Sequence, residues 1–179
     1  MHRTVAAALL LLCFPAAAQG RGPSTAQERK RAVEITRRLE KEPLARSGGQ
    51  ARAWLLKFIV EAPDFNVKSC KGPLDVLSAD EEDPYAALLY VQSVFGMAAF
   101  MFEHPKQAGG WAAVQTAGIE STLRAYESLR RADSEARWKE LDRLVTARNG
   151  GKLRKLVEKE MAGCEKEEQG EGPEPRDAI

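Results

Sequence analysis

The chain has few of the side chains that carry chemistry. Two histidines and three cysteines occur among its 179 residues. None of the patterns H-E-x-x-H, C-x-x-C or C-x-x-C-H is present. The common zinc sites and covalent haem attachment therefore lack their motifs. A serine–histidine–acid triad lacks its G-x-S-x-G elbow as well. Aromatic residues make up 7% of the chain and the formal net charge is +1. No strong field draws it to nucleic acid, and no aromatic–basic interleaving offers a single-strand surface. Strand-like alternation is missing too, which leaves helical periodicity as the organising signal.

What is present begins with an export pattern. Arg3, an apolar run over residues 5–14 and the triplet Ala16-Ala17-Ala18 fit a secretory signal of residues 1–18, cut after Ala18. That run is shorter than the roughly 20 apolar residues a bilayer span requires. A lipid anchor at Cys13 is the alternative; Leu12 before it and the alanines beyond it argue against that. The sequence thus predicts a secreted or periplasmic protein, with a membrane-anchored one as the alternative. Processing removes His2, Arg3 and Cys13 and no acidic residue, so the remaining chain is neutral. Cys70 and Cys164 are then left, and two cysteines in an exported chain most often pair. A loop of about 90 residues closed by that bridge carries an ideal entropic gain of about 4–5 kcal/mol.

The stretch 85–102 has no charged residue. Asp83 and Pro84 stand before it as an N-cap and first-turn proline, and His104-Pro105 close it. A helix apolar all round must be wrapped by other elements or by lipid. The amphipathic segments on either side predict wrapping by protein, with a membrane span as the alternative. Thr25 and Glu28 form a T-x-x-E capping box opening a helix to about Glu42, with Ala32, Ile35 and Leu39 as its stripe. Its alternating Arg, Lys and Glu read as a solvated face of i,i+4 pairs. Ser47 and Gln50 form an S-x-x-Q box before a helix over 51–62, where Trp54, Leu55, Phe58, Ile59 and Ala62 share one face.

Residues 64–80 read as irregular, with an extended piece at 65–67 and a helical turn at 73–77. A helix over 111–132 turns Val114, Gly118, Thr122, Ala125 and Leu129 inward. Gly118 within it predicts close approach to a neighbour near Gly96. Asp133 is expected to cap the next helix, whose core face is Trp138, Leu141, Leu144 and Val145. Asn149-Gly150-Gly151 breaks it, and Leu153, Leu156, Val157 and Met161 carry a last helix to Cys164. Residues 165–179 read as a disordered charged tail. The predicted fold is all-α: a disulfide-stapled bundle of about six helices over 19–164 around one central apolar helix.

Three constellations could carry function. Residues 115–121, Gln-Thr-Ala-Gly-Ile-Glu-Ser, carry a Glu-Ser pair that resembles the start of the lytic transglycosylase motif of peptidoglycan-cleaving enzymes. The resemblance implies an acid/base role for Glu120, which a pKa raised by apolar neighbours would support. The small-residue run and Gly-Leu-Met-Gln that complete the motif are absent here. Met97, Met101 and His104 at i, i+4 and i+7 could present two thioethers and an imidazole to Cu(I) or a haem iron. Methionine is equally the ordinary filler of an apolar helix. His104 itself fits a helix C-terminus, where it complements the dipole and terminal carbonyls. Ala98, Phe102 and Pro105 resemble the second half of a tetratricopeptide unit, but the first-helix signature and a second copy are missing.

With no catalytic set outweighing these plainer readings, the sequence predicts a non-enzymatic exported domain that binds a protein or cell-envelope component and needs no cofactor. The alternatives are a small cell-wall-sugar hydrolase using Glu120 and a copper or ligand carrier using Met97, Met101 and His104.

Overall fold

The structure, a computed structural model, describes residues 21–68, 72–79 and 83–162. Among these residues it is all-helical, with seven α-helices, one 3-10 turn and no strand. The helices are α1 Ala26–Lys41, α2 Gly48–Glu61, α3 Asp75–Ala79, α4 Ala86–Glu103, α5 Trp111–Ala132, α6 Lys139–Asn149 and α7 Leu153–Glu160, with the 3-10 turn at Pro105–Gln107 after α4. Residues 1–20, 69–71, 80–82 and 163–179 lie outside the description. The signal segment, the charged tail and the proposed Cys70–Cys164 bridge fall there.

Helix α4 is the central rod that its lack of charge requires. It lies between α1, α3 and α5, with α5 its most extensive neighbour. From Leu88 to Phe102 every residue is buried or half-buried. By length and composition Ala86–Glu103 could also cross a membrane, and half of it is buried inside this protein. The rod joins two apolar clusters. Its first half contributes Ala86 and Leu89 to one shared with α3, α5, α6 and α7, around Tyr126, Trp138, Leu141 and Val157. Farther along, Phe95 enters a second cluster with Ile35, Leu39, Leu55 and Phe58 of α1 and α2, and half-buried Phe102 packs on it. Phe65 closes that cluster, its ring edge-on to Phe102 at 4.7 Å.

Local chemistry sets most boundaries. At α1, Thr25 Oγ1 accepts from the Glu28 N–H at 3.2 Å while Glu28 Oε2 accepts from the Thr25 N–H at 2.8 Å, completing the capping box. After α6, the Gly151 N–H donates to the Arg148 carbonyl and the Lys152 N–H to that of Ala147. This Schellman pairing requires the left-handed φ of 67° that Gly151 supplies.

Three caps differ from the sequence reading. Ser47 makes no side-chain cap, because it already has helical angles and cannot aim its hydroxyl back; α2 starts at Gly48 rather than 51. Arg52 instead donates to the Pro43 carbonyl and ties the turn down. Asp83 is not the N-cap of α4, which is Tyr85. Its Oδ1 accepts the Tyr85 N–H at 2.7 Å and starts the turn through Pro84. Asp133 ends α5 instead of opening α6. Its Oδ1 accepts the Glu135 N–H at 3.0 Å, and α6 waits until Lys139 because Trp138 stays extended. That conformation lets the Trp138 N–H donate to Tyr126 Oη at 3.3 Å while its ring packs on the Tyr126 ring.

The expected close approach of Gly118 and Gly96 is present. A methyl on Gly118 would lie 2.7 Å from Met97 Cγ and 2.8 Å from the Ser93 carbonyl oxygen, and one on Gly96 would overlap Ser121 Cβ. Backbone and backbone nearly touch there, so neither side can yield cheaply. Gly96→Ala and Gly118→Ala are each expected to destabilise by about 1–3 kcal/mol despite alanine's better helix propensity, as read by urea unfolding. A stabilised alanine variant would show that the α4–α5 spacing is looser than described.

Candidate functional site

The α4–α5 contact carries a polar thread into the core. Gln92 of α4 is fully buried, and its Nε2 donates to Ser121 Oγ of α5 at 3.0 Å. Ser121 Oγ in turn donates to Glu40 Oε1 of α1 at 2.6 Å. The direction is forced. A carboxylate only accepts, so Ser121 spends its one proton on Glu40 and must accept from the Gln92 amide. The Gln92 Oε1 left over has no hydrogen-bond partner.

Glu40 is the hub. Its side chain is 5% exposed, yet it meets two guanidinium groups: Arg124 Nε at 2.8 Å and Arg37 Nη1 at 2.6 Å. Arg124 adds a second bond from Nη2 at 2.9 Å, which makes that pair bidentate. Burial pushes the Glu40 carboxyl up. The bonds from Arg124 and Ser121, with the charges of Arg124 and Arg37, outweigh it and hold the group below its ordinary 4.5.

From this hub the charges run outward into a recess of about 500 Å³ between α1, α4, α5 and α7. Arg37 reaches on to Glu103 at 2.5 Å, and Arg124 Nη1 lies 3.6 Å from Glu120. Arg154 of α7 forms part of the rim. His104 and Glu120 both line this recess. His104 is the C-cap of α4, and Glu120 stands on α5 next to Ser121, which packs against Gly96 of α4. The His104 ring packs on Phe100 at 4.8 Å between centroids, and its backbone N–H donates to the Phe100 carbonyl. Glu120 is 41% exposed with a guanidinium for a neighbour, so the apolar surroundings that define a protonated catalytic carboxyl are not those found here.

The soft-ligand set is spread over three places. Met97 is buried beside Gly118. Met101 faces a groove between α1 and the end of α4, and His104 faces the recess. Among the described residues no group of three or more histidine, cysteine, aspartate and glutamate side chains is placed to hold a metal ion.

Glu40, Arg37 and Arg124 are the residues of this hub, and sequence reasoning leaves them as ordinary helix-surface charges. Glu40 belongs to a run of alternating charges that reads as a solvated face. The available signal is Ala32–Thr36–Glu40, which continues the buried stripe at i, i+4 and i+8; Thr36 is buried as well.

The fold and the recess together define an all-α bundle whose charged cavity is built on a buried ion-pair hub. No known family model matches the chain, and neither the curated proteins nor the solved structures gave a match.

Glu40→Gln keeps the shape of the hub and removes its charge, leaving two part-buried guanidiniums short of a counter-ion. Both arginines are about a third exposed, so solvent softens the loss, and about 1–3 kcal/mol is expected. A depressed carboxyl pKa stabilises above the unfolded value of 4.5 and stops doing so as pH falls through the lower folded value. Urea unfolding from pH 7 to pH 3 is therefore expected to show a shallower acid loss in Glu40→Gln than in the parent. Parallel profiles would remove Glu40 from the hub.

Proposed function

We propose that this chain is an exported, non-enzymatic helical domain that binds a polar component of the cell envelope in the recess. The observation that carries the reading is the pairing of every recess carboxylate with an arginine. Glu40 is held by Arg37 and Arg124, Glu103 by Arg37, and Glu120 by Arg124. Side chains fixed in opposed charge pairs offer donors and acceptors already oriented, and such an array suits hydroxyl, amine and carboxylate groups. A volume of about 500 Å³ is in the range of small-ligand sites. Soluble disaccharide-peptide fragments of cell wall are the probe. Calorimetric titration is expected to give saturable binding that Glu120→Gln and Arg154→Gln each weaken about tenfold; no heat with any fragment would remove the reading.

A second reading has its own support, because His104 and Glu120 share the recess. In a cell-wall-sugar hydrolase using Glu120, the same fragments would be cleaved, and chromatography of the incubated mixture would show products that Glu120→Gln abolishes. Binding without products separates the two readings.

The staple between Cys70 and Cys164 belongs to the same proposal of export. Both cysteines lie outside the described residues. Their described neighbours support the pairing: a methyl on Gly72 would lie 2.8 Å from Met161 Cγ. Gly72 stands two positions after one cysteine, and Met161 three positions before the other. The Gln115 Nε2 bond to the Lys68 carbonyl at 2.7 Å holds the same loop to α5. Intact mass of protein from an oxidising compartment is expected to rise by two hydrogens on reduction. Cys70→Ser is expected to cost about 2–4 kcal/mol. Two free thiols in the native protein would dismiss the staple.

A further inference from the structure

Helix α2 is apolar on more faces than the described residues cover. Leu55 and Phe58 point inward and are buried, while Val60 is 81% exposed and Leu56 40% exposed on the outer side. They stand one turn apart and form a ridge. Lys57 and Glu61 flank it, 3.9 Å from one another and exposed.

Along α1, on the side where α4 ends, lies a groove of about 760 Å³. Val33, Met101, Phe102 and Pro105 give it an apolar lining, and Lys30, Glu34 and Glu103 stand at its rim. Lys30 and Glu34 are also spaced one turn apart, paired at 3.9 Å and exposed. The structure therefore offers a ridge and a groove that match in two respects. The ridge supplies two aliphatic side chains of a size the groove can take. Each feature also carries a base–acid pair at the same i,i+4 spacing, Lys57–Glu61 on the ridge and Lys30–Glu34 on the groove, whose lining adds Arg29 and Glu103. With α2 laid antiparallel to α1, Lys57 faces Glu34 and Glu61 faces Lys30. Both internal pairs are long and solvated, so exchanging partners costs little.

We infer that the groove between α1 and the end of α4 receives the Leu56–Val60 ridge of a second copy of this chain. Complementary charge fixes the register and direction, and burial of the ridge provides the drive. Ridge and groove are unlike surfaces. The association is heterologous: it closes if the rotation allows and otherwise extends into longer assemblies. It does not rest on ligand binding in the recess, with which the groove shares Glu103.

The test is the mass of the full chain by light scattering and sedimentation, across protein concentration. The expected result is a mass rising above the monomer with concentration. Val60→Glu, at a position too exposed to disturb the fold, is expected to return the protein to monomer with unchanged circular dichroism. Lys57→Glu alone and Glu34→Lys alone are each expected to weaken association, and the two together to restore it, since the swap recreates the pair with its signs exchanged. A monomer at every concentration overturns the inference. So does association that Val60→Glu leaves intact, or a double variant no better than its parents. A groove that takes a foreign amphipathic peptide while the chain stays monomeric overturns it as well.

Discussion

Helices α4 and α5 touch at Gly96 and Gly118, and the polar interior is placed by that contact. With no side chain on either glycine, Ser121 sits against the α4 backbone at Gly96 and Met97 against α5 at Gly118. Ser121 is then close enough to take the Gln92 amide on one side and to present its proton to Glu40 on the other. Larger residues at these crossings would move Ser121 away from α1. The acid of α1 would then be buried without its hydroxyl donor. A buried carboxylate left short of partners is among the costlier things a fold can contain. Packing and electrostatics are thus one constraint in this molecule.

The hub shapes the recess because each arginine has several donors. Arg124 gives Nε and Nη2 to Glu40, and its Nη1 is left to face Glu120; Arg37 divides itself between Glu40 and Glu103. Lysine, with a single ammonium on a flexible stem, could not hold a buried acid and a surface one in fixed directions. The surface charges are oriented by a buried group, and that distinguishes them from the scattered exposed pairs elsewhere, such as Lys30–Glu34. Exposed pairs of that kind contribute little. An orientation set from within makes the recess a better candidate for recognition than its modest exposure of charge alone suggests.

Much of the scaffold was legible because it depends on local rules. The uncharged run predicted α4, the Thr25–Glu28 box opened α1, and Asn149-Gly150-Gly151 stopped α6. Gly118 announced a close crossing because a glycine inside a good helix needs a reason. The misplaced caps share one cause. Ser47, Asp83 and Asp133 are good capping residues by type, but capping depends on the backbone angles the preceding turn delivers. Neighbouring turns and the Tyr126–Trp138 packing set those angles, and sequence spacing does not report them. The hub was hidden for a different reason. Glu40 and Arg124 are far apart in sequence, and each looks like a solvated helix charge until the fold brings them together. Only Thr36 and Glu40, continuing the buried stripe, gave a hint. His104 and Glu120 stand out in the sequence for different reasons, and whether they share a cavity depends on how α4 crosses α5, which the fold alone decides.

Helices α2 and α4 pose the same physical question with different outcomes. Both are apolar beyond a single stripe, and a helix of that kind has to be covered on most sides. For α4 the chain supplies cover through α1, α3 and α5. For α2 the described residues supply α1 and the aromatic cluster of Phe58, Phe65 and Phe102, which among them seal the inner face only. Scattered exposed aliphatics such as Leu44 need no explanation, since every folded surface carries them. Leu56 and Val60 differ because they are contiguous on one helical face and lie above a helix that is already covered below. The hydrophobic effect accounts for the position of α4 within a single chain. For α2 it accounts for one side only, and the composition of the other side makes sense as a contact surface.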